Sequence, residues 1–278
     1  MNCAICKEPL DPVLEKTGSH PNCFTFAEVD EGDPFANMMK TLLTDVILWG
    51  EKQNPRGHQV AIGPSELGTP CDRRVGYRLA GIKPVNTEFD PWPMIMGTAI
   101  HSWLETVFQD WNNTHGLEAT WLTEQTLQFE DFVQGHSDLY NYEHQTVIDW
   151  KGAGPDVMRK VRKDGPPIGY QIQTHVYGYL FTLAGMPVQK VCLAFLPRAG
   201  WLRDMYVWCD DYSEDVGKGA IVRLYQIAQQ IVDTDVLTHS HRWEDVQALP
   251  SNDCGWCPWY NPGKDRDIAA DDQGCPGR

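Results

Sequence analysis

The spacing of apolar and polar residues divides the chain into helical and extended stretches. Over 35–52 (FANMMKTLLTDVILWGEK) the apolar positions recur at helical intervals and predict a helix. Residues 64–80 begin with a Pro-Ser pair and end at Gly81, which predicts a helical segment with an irregular middle. A further helix is predicted over 93–112, containing GTAIHSWLETVF. Strands are predicted over 119–130, 131–140 and 145–151, the last two separated by the polar turn Asn141–His144. The apolar run 168–184 predicts a helix closed by Gly185, followed by strands over 188–196 and 202–209 and a long helix over about 212–234. From 249 onward the chain is rich in Pro, Gly and Asp and carries three cysteines. Helix, strands, helix, strands, helix is the order of a mixed α/β core.

Composition narrows the setting. The chain has 278 residues, 42% of them hydrophobic, enough for one large domain with small appendages. It has no apolar run of about 18 residues, so no membrane span is expected. The start MNCAICKEPLDP lacks the basic and apolar regions of a signal peptide, which points to the cytosol. A net charge of −15 argues against a general nucleic-acid coat protein. It leaves room for an enzyme with a local basic groove and an acidic metal site. Nine cysteines are many for the cytosol, and an odd number does not pair completely. Cys192 and Cys209 stand apart in apolar, strand-like segments and are expected in the core. The other seven fall into two spaced groups that suggest metal.

The stretch TVIDWKGAG, 146–154, carries candidate chemistry. Asp149 and Lys151 are two apart, so on a strand they share a face. Asp138, in QGHSDLY, sits one strand earlier, and a hairpin through 141–144 would bring it beside Asp149. Two adjacent carboxylates are costly unless a cation lies between them. Oxygen ligands of this kind suit Mg2+ or Mn2+. A lysine beside such a metal can orient water and stabilise phosphate charge, a combination that serves phosphodiester hydrolysis. His101, on the 93–112 helix, can offer a ring nitrogen. Glu105, one turn on, either holds His101 or forms a salt bridge. Gln173 and Tyr177 are also one turn apart and could bond a phosphate or a base. Arg159, Lys160, Arg162 and Lys163 form a basic run just past the strand, where a DNA backbone would pass. Taken singly, each feature is an ordinary surface or packing pattern; their joint occurrence carries the signal.

The cysteines make two sets. Cys254-x2-Cys257 is followed by Cys275 after 17 residues, and Cys71 is the one well-placed fourth thiolate. Four thiolates hold either zinc or an iron–sulfur cluster. Arg73 and Arg74 beside Cys71 would touch DNA or neutralise nearby acids. At the N-terminus, Cys3-x2-Cys6 and His20-x2-Cys23 have the spacing of a zinc knuckle. A segment this small folds on its metal, and it would grip DNA, recruit a protein partner or cap the domain.

In order, His101, Asp138, the Asp149-x-Lys151 strand end and Gln173-x3-Tyr177 resemble the PD-(D/E)xK nuclease superfamily, and within it the RecB-type nucleases. One cysteine before these motifs and three after resemble the iron–sulfur members: the AddB nuclease domain and the CRISPR-associated RecB-like exonucleases. The resemblance implies a restriction-endonuclease-like core of mixed sheet flanked by helices. It implies Mg2+ or Mn2+ on His101, Asp138, Asp149 and the Trp150 carbonyl, with Lys151 positioning water. It further implies Gln173 and Tyr177 on the DNA, and a 4Fe–4S cluster on Cys71, Cys254, Cys257 and Cys275 stapling the chain ends. The expected organisation is a zinc knuckle over 1–28, a linker and helix over 29–60, and the nuclease domain over 61–278 with its cysteine-rich tail from 249. The expected activity is a DNA exonuclease of recombination, repair or replication, acting on single strands or free ends in a bacterial or phage-infected cytosol. Two rival expectations remain. One is a nuclease subunit of a recombination or CRISPR-adaptation complex. The other is a non-catalytic, metal-stapled DNA-binding or anti-defence protein.

Overall fold

A computed structural model of the chain describes residues 34–53, 61–87, 90–115, 120–249, 252–261 and 270–277. Two compact units divide at Pro55. In the first, helix α1 (Pro34–Lys52) forms where the helical spacing predicts it. The N-terminal zinc knuckle, Cys3, Cys6, His20 and Cys23, lies outside the described residues.

The second unit is built on a five-stranded sheet in the order β1 to β5: β1 Trp121–Phe129, β2 Val133–Asn141, β3 Thr146–Ala153, β4 Lys190–Pro197 and β5 Tyr206–Asp211. Only β3 and β4 run parallel. A parallel neighbour needs a crossover, supplied by α5 (Pro155–Asp164) and α6 (Ile168–Leu183). Before the sheet come α2 (Pro64–Leu67), α3 (Asp72–Leu79) and α4 (Trp92–His115), and α7 (Glu214–Thr234) follows it.

The predicted helices and strands are thus present, with three differences. The strand expected over 202–209 begins only at Tyr206, after a 3-10 turn at Leu202–Asp204. The 64–80 segment is two helices broken at Gly68–Cys71, because Pro70 blocks continuation. The basic run, given no element by pattern, is α5. Its apolar residues are Val157, Met158 and Val161, too sparse to announce a helix; Met158 and Val161 are buried against Leu193 and Phe195, while Val157 is exposed. Pro155 starts it and Gly165, at φ +79°, ends it.

The main core joins the sheet to α6 and α7. Tyr140, Val147 and Val191 meet Val176, Leu180 and Phe181 of α6, and Ile221, Leu224 and Ile227 of α7 lie in the same cluster. The 16 residues of α6 include eight buried ones, three of them polar, Gln173, Thr174 and His175. At Gly68 the end of α2 meets the start of α6 so closely that a methyl group would lie 2.1 Å from the Gly169 carbonyl oxygen. Among the described residues no helix is long and apolar enough to cross a membrane.

One sequence expectation is corrected here. Cys192 and Cys209 are not both buried core thiols. They face each other across β4 and β5, and the structure joins them in a disulfide. Cys192 is buried, while Cys209 is exposed on β5, the edge strand.

Candidate active site

Strand pairing builds the site. β2 and β3 pair at Leu139–Ile148, Tyr140–Val147 and Asn141–Thr146, and the next pair in register would be Asp138 with Asp149. No ladder contact forms there. Instead, the Asp138 carboxylate takes the place of a strand, accepting the Trp150 N–H at 2.8 Å through Oδ2. Its Oδ1 lies 3.1 Å from His101 Nδ1, which α4 delivers from its middle turn. Burial disfavours the imidazolium, but the Asp138 bond and the charges of Asp138 and Asp149 outweigh it, and His101 titrates above its ordinary value.

Sequence reasoning missed a third member. Glu124 of β1 joins His101 and Asp138, with one ligand atom from each all within 4.8 Å of one another. The β1–β2 register pairs Thr123 with Leu139 and Gln125 with Ser137, so Glu124 stands opposite Asp138. Like charges opposite one another weaken a sheet. Glu124 also adopts φ +47°, a left-handed backbone that L residues avoid except where the surroundings impose it. The signal was available: counting back from the hairpin pair Phe129–Val133 places an acid opposite Asp138.

On β3, Asp149 and Lys151 do share a face. Lys151 Nζ lies 2.5 Å from Asp149 Oδ2. Gln173 of α6 holds both, accepting from Lys151 at 3.1 Å and donating to Asp149 Oδ1 at 2.9 Å. Burial presses both groups toward neutrality, with unequal results. Lys151 faces two carboxylates and is held above its ordinary value. Asp149 faces one ammonium but also Asp138, and burial pushes it up to about 6. Tyr170, at the start of α6, sets its ring 4.7 Å from the lysine nitrogen. Tyr177 donates to the His136 carbonyl at 2.8 Å, and burial with three nearby carboxylates raises its phenol well above normal.

The residues expected on DNA, Gln173, Tyr177, Arg73 and Arg74, are placed as follows. Gln173 and Tyr177 are both 6% exposed, with their polar ends engaged inside the fold. They brace the site from beneath and offer no surface to a strand. Arg73, 5% exposed, donates to the Val246 and Glu244 carbonyls and to Cys275 Sγ, so it ties α3 to the tail and leaves no guanidinium for DNA. Arg74 is half-buried beside it. Glu105 accepts from Gln109, which also donates to Thr123, and stands outside the His101–Glu124–Asp138 group.

The four expected cysteines do come together. Cys71, Cys254, Cys257 and Cys275 line one cavity of about 470 Å3, with Arg73, Arg74 and Tyr77 in its wall. The tail is anchored there by its own bonds. Trp259 donates to the Ile82 carbonyl at 2.8 Å, Tyr77 to that of Asp271 at 3.0 Å, and Val85 to that of Pro258 at 2.9 Å. Burial raises the Cys257 thiol. Despite the long gap after Cys257, Cys275 reaches the cavity through a bridge with Tyr260.

No protein-family model matches the chain, and no curated protein matches it. Several solved structures resemble it in part. SSO0001 aligns with 20% identity and a TM-score of 0.43, over 71% of this chain and 89% of its own. A phage-related exonuclease from Haemophilus somnus 129PT aligns with 14% identity and a TM-score of 0.40, over 60% and 81%. An alkaline exonuclease (LHK-Exo) from Laribacter hongkongensis aligns with 9% identity and a TM-score of 0.42, over 66% and 94%. At this distance the likenesses assign nothing to individual residues.

Proposed function

We propose that this protein is a metal-dependent deoxyribonuclease that hydrolyses phosphodiester bonds from DNA ends. The observation that carries the proposal is the convergence of one imidazole and two carboxylates beside a buried Asp149–Lys151 pair. A folded protein leaves like-charged carboxylates opposite each other only where something compensates them. One nitrogen and several oxygens make a donor set that suits Mg2+ or Mn2+.

His101, Glu124 and Asp138 would hold the ion, with Asp149 and the Trp150 carbonyl next to them as the sequence resemblance implies. When bound, such an ion acidifies a water and offsets charge on the phosphoryl oxygens. The chain's own residues set the geometry around it. Asp138 fixes the orientation of the His101 ring through Nδ1, and the imidazole would offer a ring nitrogen to the ion. Gln173 holds the Lys151 ammonium next to Asp149, where it would position an attacking water once an ion is bound. Tyr170 shields one side of that ammonium from solvent.

The cysteine cavity fits a structural 4Fe–4S cluster better than one zinc ion. Tetrahedral zinc with bonds of about 2.3 Å needs sulfurs roughly 3.8 Å apart. Among the described residues, the four cysteines supply no three ligand atoms within 4.8 Å of one another, and the cavity they line is large. Three tail thiolates and Cys71 would then clamp the tail to α3. The N-terminal cysteine and histidine set is proposed as a zinc knuckle that recruits a protein partner. The protein would act in the cytosol.

Linear and closed circular forms of one plasmid, incubated with anaerobically purified protein and Mg2+ or Mn2+, test the activity. Loss of the linear form alone, abolished by EDTA, is expected. Nicking of the circle would replace the exonuclease with an endonuclease, and no cleavage of either form with either metal would refute the activity.

A further inference from the structure

Beyond the metal site, the structure builds a second feature at the carboxyl ends of β3 and β4. These parallel strands end side by side at Ala153 and Pro197. Open α/β sheets bind ligands beyond the carboxyl ends of parallel strands. Arg198 folds back from the end of β4, donating to the Gly152 carbonyl at 3.1 and 3.0 Å, one residue past Lys151. The chain then turns through Gly200, at φ +126°, into the 3-10 turn Leu202–Asp204. Before that turn stands Trp201, 66% exposed, with the Arg203 guanidinium carbon 5.2 Å from its ring centre. Arg162 of α5 donates to the Asp204 carbonyl and so binds this turn to the basic helix.

A tryptophan 66% exposed and covered on one side by a guanidinium gains little from packing. The charge around it is also out of character. The segments 155–165 and 198–204 carry six cations, Arg159, Lys160, Arg162, Lys163, Arg198 and Arg203, against three acids, Asp156, Asp164 and Asp204, in a chain of net charge −15. Of these cations, Arg159 is paired with Asp156. A local cationic surface with a free aromatic face is what a single nucleic-acid strand requires: cations for the phosphates and a ring for a base.

We propose that Trp201 is a base-stacking residue for a single-stranded DNA end, with Arg203 and Arg198 on the flanking phosphates, so that the strand is led past Lys151 to the metal site. The proposal rests on the nuclease assignment for its purpose, but binding can be read without cleavage. A duplex keeps its bases stacked on one another and gains little from Trp201, so the site selects a frayed or single-stranded end.

The test is fluorescence anisotropy in Mg2+ with a phosphorothioate-linked single strand of about 15 nucleotides, beside a blunt duplex of the same sequence. Trp201→Ala should weaken single-strand binding about 10-fold and duplex binding less than about 2-fold. Trp201→Phe should restore most of the affinity, since it keeps an aromatic face. Arg203→Gln should weaken single-strand binding and reduce its salt slope by about one. Trp201 is exposed, so equal melting temperatures would show that the fold is intact. Single-strand affinity of Trp201→Ala within about 2-fold of wild type, an equal loss on duplex, or no binding by wild type would each overturn the proposal. Binding that shows the expected pattern in a protein that cuts no DNA would uphold the proposal and refute the nuclease assignment.

Discussion

Replacing Gln173 with leucine removes a side chain that holds both Asp149 and Lys151. The substitution is close in volume, and the site is 6% exposed, so it neither opens a large cavity nor exposes apolar surface. Two hydrogen bonds to charged groups are lost, at 2.9 and 3.1 Å. Each contributes about 1.5–3 kcal/mol, giving roughly 3–6 kcal/mol in all, less whatever Asp149 and Lys151 recover from each other. At the low end the melting temperature should fall by roughly 6–12 °C. If the lost bonds are those that aim Lys151, about 3 kcal/mol corresponds to a kcat lower by roughly 100-fold. KM should hardly change, because Gln173 has no surface for DNA. The assay is steady-state degradation of end-labelled linear DNA well below the melting temperature, with calorimetry on the same preparation. A kcat within about threefold of wild type would refute the positioning role. A higher KM with kcat intact would return Gln173 to the DNA contact that the sequence resemblance implied.

Other consequences are as direct. Asp149 lies near 6 in the folded protein against an ordinary 3.8, so the folded state retains the proton. In metal-free protein, stability should therefore fall as pH rises from about 4 to about 6, by up to roughly 3 kcal/mol. Mg2+ should restore more stability at pH 7 than at pH 5. Chemical denaturation across that range checks both, and metal-free stability that rises with pH would contradict the Asp149 assignment. Gly68→Ala places a methyl 2.1 Å from the Gly169 carbonyl, beside Tyr170, and should cost roughly 1–3 kcal/mol and lower activity with it; an unchanged melting temperature would show that α2 and α6 are not in contact. Anaerobically purified wild type should carry about four irons and a broad visible absorbance, both lost in Cys254→Ser; stoichiometric zinc in a colourless protein would favour the simpler metal.

The elements that could be read from the chain were those whose own pattern suffices. The 168–184 helix and the hairpin of β2 and β3 came from local apolar spacing, and Asp138, Asp149, Lys151 and His101 came from motif order. What was missed depended on tertiary partners. Helix α5 is stabilised by two apolar side chains against the sheet, and its charged face hid it. Glu124 became legible only once the hairpin register was counted. Gln173, Tyr177 and Arg73 are buried, which their polar character does not announce, because sequence shows a polar group and not whether it points outward. Cys192 and Cys209 sit in apolar strands, and only the β4–β5 register shows that they face each other.

The most direct test of the central claim compares wild type with Lys151→Ala and Glu124→Gln on end-labelled linear DNA, in Mg2+ and in Mn2+. The account predicts degradation by wild type and a loss of about 100-fold or more in each variant, with metal-dependent stabilisation reduced in Glu124→Gln and kept in Lys151→Ala. Cleavage at wild-type rates by Lys151→Ala would contradict it.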